Sequence, residues 1–106
     1  MKWPNDADGD VFRQLSQMGM NFSKEYTVDF TVDFETWPPN PKAVKALKAK
    51  YKAVEVIPPN GDDSGYVLFQ LRHLVTYEWV LTVQKEATDL VRAYGGRCES
   101  WGVMGP

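Results

Sequence analysis

One cysteine and one histidine in 106 residues leave this chain little with which to do nucleophilic, redox or metal chemistry. Cys98 has no second thiol to bridge within the chain, and a Cys–His nucleophile would need His73 and Cys98 to meet beside an orienting third group. No apolar run approaches the roughly 18 residues that a membrane helix needs. The opening M-K-W-P-N-D-A-D-G-D is acidic where a secretory signal carries an apolar core. An excess of either charge is missing too: 12 basic against 14 acidic residues leave a net charge of −2, which exerts no general pull on nucleic acid. These absences point to a cytoplasmic protein with no cofactor and no bound metal.

What is present is a strand pattern. Residues 26–34 read Y-T-V-D-F-T-V-D-F, so Val28, Phe30, Val32 and Phe34 alternate with Thr27, Asp29, Thr31 and Asp33. Period-2 alternation gives a strand with one buried and one wetted side. A slip of one residue would expose four large apolar side chains and bury two carboxylates, so the register is strongly specified. The strand is expected to run on into Glu35, Thr36 and Trp37 before P-P-N-P breaks it.

Around it the chain reads as alternating elements. Asp8 or a neighbour caps a first helix whose Val11, Phe12, Leu15 and Met18 recur at helical spacing, and Gly19 stops it. Asn40 caps and Pro41 starts a second helix over residues 41–51, with Val44, Leu47 and Tyr51 on one side. Residues 53–57 are a short strand, residues 58–65 turn material, and residues 66–72 a third element with Val67, Phe69 and Leu71 on one side. Thr76 caps the longest helix, with Trp79, Val80, Val83, Ala87, Leu90, Val91 and Tyr94 turned inward, and residues 97–103 return as the last strand.

The order helix, then β-α-β-β-α-β, predicts an α+β ferredoxin-like sandwich with an extra N-terminal helix. Its antiparallel four-stranded sheet would carry helices on one side only. At this length one domain is expected over residues 1–106, with a helical extension at 1–22 and the core at 25–104. The open side would then show Asp29, Thr31 and Asp33 from the first strand and Leu68, Gln70 and Arg72 from the third, Arg72 pairing with one of the aspartates. In the last strand strict alternation turns Cys98, Ser100 and Gly102 inward and places Arg97, Glu99 and Trp101 outward. Asp29, Asp33, Glu35, Arg72, Glu99 and Trp101 are the resulting partner-binding candidates, since an exposed Trp beside charges can anchor a partner. Against that stands the tendency of large aromatics to be buried.

Other constellations have plainer explanations. Asp6, Asp8 and Asp10 start like a calcium loop, but Val11 and Gln17 stand where that loop needs Gly and Glu, and the aspartates suit a helix start. Asp29 and Asp33 lie four strand positions apart, about 13 Å, too far to share one reacting bond. Lys42, Lys45, Lys48, Lys50 and Lys52 could form a phosphate-binding stripe, but a solvated helix face with long stems shielding apolar surface is the better reading given the near-neutral total. Sheet-based RNA readers stack bases on aromatics of the central strands; Asp29, Thr31, Leu68 and Gln70 offer none, and direct nucleic-acid binding is not expected.

At the C-terminal end, Y-G-G-R-C-E-S-W-G-V resembles the family of regulators of ribonuclease E activity, type B, through Gly95, Gly96, Glu99, Trp101 and Gly102. Supporting it are G-D-V at Gly9 to Val11, V-D-F at Val28 to Phe30, and R-H-L-V-T before the long helix. The resemblance implies a ferredoxin-like fold and a non-catalytic protein that binds ribonuclease E and lowers its activity. Well-known members continue into a long acidic tail where this sequence stops at Pro106, so the acidic sheet face is expected to take an arginine-rich partner segment instead. The alternatives are a homodimer built on the open sheet, and, more remotely, a small-ligand pocket near Arg72 and His73.

Overall fold

A computed structural model of the chain describes residues 3–104; Met1, Lys2, Gly105 and Pro106, which the single-domain expectation includes, lie outside the described residues. The elements are α1 (Ala7–Gln17), β1 (Glu25–Phe34), α2 (Pro41–Lys50), β2 (Ala53–Ile57), β3 (Tyr66–Leu74), α3 (Tyr77–Val91) and β4 (Gly96–Val103), with a single 3-10 turn at Arg92–Tyr94. The strands form one antiparallel sheet in the order β2-β3-β1-β4. This is the expected α+β sandwich, with β1 and β3 at its centre.

The alternation of β1 decides which side is covered. Val28, Phe30 and Val32 are fully buried, and so are Val67 and Phe69 opposite them on β3. Phe69 lies between the rings of Phe30, at 5.2 Å, and Tyr51, at 4.0 Å, both stacked on it. α2 contributes Ala43 and Leu47 to this core and α3 contributes Val80, Val83, Ala87 and Val91. Ala43 takes the inward place expected of Val44, which is half-buried.

Local chemistry sets the element ends. Asp6, two residues before the expected cap, accepts the Gly9 amide at 2.7 Å; Asn40 accepts from Lys42 at 2.9 Å, and Thr76 from Trp79 at 3.1 Å. At Gly9 a Cβ would stand 1.9 Å from the Pro4 carbonyl oxygen, so the entry to α1 closes only on glycine. Gly95 turns the chain into β4 with φ of 75°. β1 ends at Phe34, short of Trp37: the Glu35 amide still bonds the Gly95 carbonyl at 2.9 Å, one step on in the same register, and residues 35–38 then bend away.

The main departure lies in β4. Val32 pairs with Cys98 and Thr31 with Ser100, which leaves Glu99 as one extra residue against β1. Beyond this bulge the alternation is reversed: Trp101 pairs with Phe30, and Ser100 and Gly102 pair with the outward Thr31 and Asp29. Trp101 therefore sits under the helices and not on the open side. Its ring lies 5.1 Å from that of Phe12 on α1, and its indole N–H donates to Asp8 Oδ1 at 2.8 Å. α1 thus joins α2 and α3 on the helical side.

Replacing Phe69 by alanine should lower stability by about 3–5 kcal/mol, since two ring stacks vanish from a filled core. Met18→Ala at an exposed helix end should change it by less than about 0.5 kcal/mol. Urea denaturation followed by circular dichroism measures both.

Candidate protein-interaction face

Opposite the helices the sheet presents the other half of each strand. β1 contributes Glu25, Thr27, Asp29, Thr31 and Asp33; β3 contributes Tyr66, Leu68, Gln70 and Arg72; β2 contributes Ala53, Glu55 and Ile57. From β4 come Arg97, Ser100 and Gly102. The central residues Thr27, Asp29, Thr31, Leu68 and Gln70 are half-buried by one another, while Asp33, Glu55, Arg72 and Arg97 are exposed. Gln70 ties the two central strands by donating Nε2 to Asp29 Oδ1 at 2.7 Å. Met104 lies over it, with its sulfur 3.2 Å from the same nitrogen.

Four carboxylates and two guanidinium groups share this face, and both cations lie beside carboxylates. Arg72 Nε is 4.0 Å from Glu25 Oε1, so it does not pair with Asp29 or Asp33 as expected, and Arg97 Nε is 3.7 Å from Glu99 Oε1. Both pairs are exposed and contribute little to stability. The remaining negative charge on the plane is that of Asp29, Asp33 and Glu55.

Asp29, Asp33 and Arg72 thus lie on the open face as expected. Glu99 is exposed in the bulge at the β4 edge, and Glu35 lies beyond the end of β1 against Gly95, at the margin of the face. Trp101 is absent from it, because the bulge turned the indole over. The aromatic residue on this side is Tyr66, half-buried, whose parity matches Leu68. Glu55 was legible in V-E-V, where a carboxylate alternates with two valines. The extra residue of the bulge had no comparable signal.

Residues considered for chemistry are dispersed. His73 pairs with Tyr26 and Cys98 with Val32, six positions along β1, or about 20 Å. His73 is stacked on Trp79 at 4.5 Å on the helical side, whereas its neighbour Arg72 points the other way, so the two share no pocket. Arg72 instead borders a shallow open depression with Glu25, Thr27, Gln70 and Met104. The three N-terminal aspartates are engaged separately: Asp6 as helix cap, Asp8 by Trp101 and by Gln84 Nε2 at 3.3 Å, and Asp10 by Arg13. Among the described residues no helix is long and apolar enough to cross a membrane.

Burial, followed by the field of Asp33 and of other carboxylates, pushes the Cys98 thiol from 9.0 up to about 12. Burial likewise raises the Tyr51 hydroxyl from 10.0 to about 12, with the field of Glu86 adding to it. Both groups have folded pKa values above their unfolded ones, so the unfolded chain releases these protons first. Their contribution is complete below about pH 9 and is lost as pH rises towards 12. Stability in urea should be level up to about pH 9 and then fall, with a shallower fall in Cys98→Ala. A second expectation concerns Asp8→Ala, which strands the indole N–H and the Gln84 amide. It should cost about 1–3 kcal/mol and shift Trp fluorescence to the red.

No curated protein sequence matches the chain. Residues 5–103 match the family described as regulator of ribonuclease activity B, which takes in all four strands and the three helices. The chain therefore belongs to the family of regulators of ribonuclease activity B.

Proposed function

We propose that this protein regulates a ribonuclease by occupying it, without catalysing any reaction itself. The observation that supports the reading is the uncovered sheet plane. The central strand β1, paired on both sides, carries Asp29 and Asp33 on a firm backbone, with Glu55 on one flank and Glu99 on the other edge, and the helices lie behind them. Carboxylates held on paired strands lose little freedom when a partner's guanidinium groups form bidentate bonds to them. The partner that suits them is an arginine-rich, extended segment, as expected of ribonuclease E.

Such a face acts chiefly through long-range attraction and exclusion of wrong partners, and its affinity should weaken as salt rises. Leu68, Ile57 and Tyr66 supply the apolar contact that charge alone would lack. The nucleic acid itself is a poor occupant, since phosphates would meet Asp29 and Asp33 and find no ring on the central positions Thr31 and Gln70.

The test is binding of the arginine-rich segment of ribonuclease E to wild type and to the double variant Asp29→Lys and Asp33→Lys, at low salt. Affinity should fall at least about tenfold, because like charges then face each other across the contact. Circular dichroism verifies that the variant is folded. Unchanged binding would remove the open face from the interaction.

A further inference from the structure

Where the chain enters α1 and where α3 begins, a cleft of about 470 Å3 opens on the helical side of the molecule, away from the sheet plane. Trp3, Phe22 and Tyr77 give it aromatic walls, Pro4 and Val75 aliphatic ones, and Thr76 and Glu78 complete its lining. Its rings are fixed from behind. Phe12, fully buried, has centroids of Trp3 at 5.5 Å, Phe22 at 6.0 Å and Tyr77 at 6.1 Å around it. A cavity of this size lies within the range of sites that hold a small ligand or a side chain.

Among the described residues the charge around the cleft is mainly negative. The Tyr77 hydroxyl donates to Asp6 Oδ2 and is pushed up to about 12, first by that bond and further by the fields of Asp6, Asp8 and Glu78. Among the described residues Arg13 is a nearby cation. It is spent on the carbonyl oxygens of Trp3 and Pro4, at 3.0 and 3.2 Å, and on Asp10. The first turn of α3 adds a partial positive charge of about half a unit, which three carboxylates outweigh. An anion is therefore repelled, and a neutral apolar group would gain nothing from the carboxylates. A cation with a flat, weakly hydrated head gains from both the rings and the charge, which favours guanidinium over ammonium.

We propose that this cleft is a socket for one arginine side chain of a protein partner, its guanidinium laid over the rings of Trp3, Phe22 and Tyr77 and its charge met by Glu78. The socket lies on the other side of the sheet from Asp29 and Asp33, so it does not depend on the open plane being a docking surface. A partner engaging both would have to reach around the edge of the molecule.

The probe is the blocked tripeptide acetyl-Gly-Arg-Gly-amide, titrated into the isotopically labelled full chain by NMR, beside its citrulline counterpart of equal shape and no charge. Saturable shifts should concentrate at the Trp3 indole and the amides of residues 75–78. Citrulline should bind at least about fivefold more weakly. Glu78→Gln, an exposed position, should weaken the arginine peptide severalfold while leaving the Asp29 and Gln70 amides where they are. The double variant at Asp29 and Asp33 should bind the peptide like wild type, which separates this site from the sheet face. Equal binding of citrulline, shifts centred on Asp29 and Gln70, or no saturable shift at Trp3 would each overturn the socket.

Discussion

A ten-residue strand with valine and phenylalanine on one side and threonine and aspartate on the other cannot be turned over. In β1, Val28, Phe30 and Val32 reach zero exposure while Asp33 stays in water. Both central ladders are written on this one strand, to β3 and to β4. Helices that need an apolar floor can settle only on the valine side, and among the described residues all three helices lie there, which leaves the other side charged. The open face is in that sense the remainder of the core: what hydrophobic burial did not use.

The same logic explains why so much was readable. Alternation in β1 and β3 depends on nearest neighbours alone, and the caps Asn40 and Thr76 act within three residues of themselves, so local sequence carries them. Placement of Asp29, Asp33 and Arg72 follows directly from that parity. Trp101 was misplaced because its direction depends on a non-local event. β4 gains one residue at Glu99 to match β1, and the gain is stabilised by an aspartate ninety-three positions earlier in the chain. Nothing within ten residues of Trp101 announces it.

The chain belongs to a family of ribonuclease regulators, and its sheet leaves an acidic plane uncovered. His73 and Cys98 are placed where each has a structural role: the imidazole against Trp79, the thiol in the core under α3 beside Thr88, whose hydroxyl accepts the Cys98 amide at 3.0 Å. The aromatic cluster around Phe12 packs α1 against Trp101 of β4 and Tyr77 of α3, and its rings Trp3, Phe22 and Tyr77 line the cleft. Charge is distributed unevenly across the two sides, with the lysines of α2 exposed on the helical layer and carboxylates on the plane.

The pairing of β4 with β1 has a further consequence for biosynthesis. The central strand is made early, yet one of its two edges is filled only by residues 96–103, much later in the chain. Until then the nascent chain exposes a long unpaired backbone edge beside Phe30, the arrangement most prone to sticking to other chains. Closure of the indole onto Asp8 comes at the same moment, so the first helix can lock down only once β4 has been made.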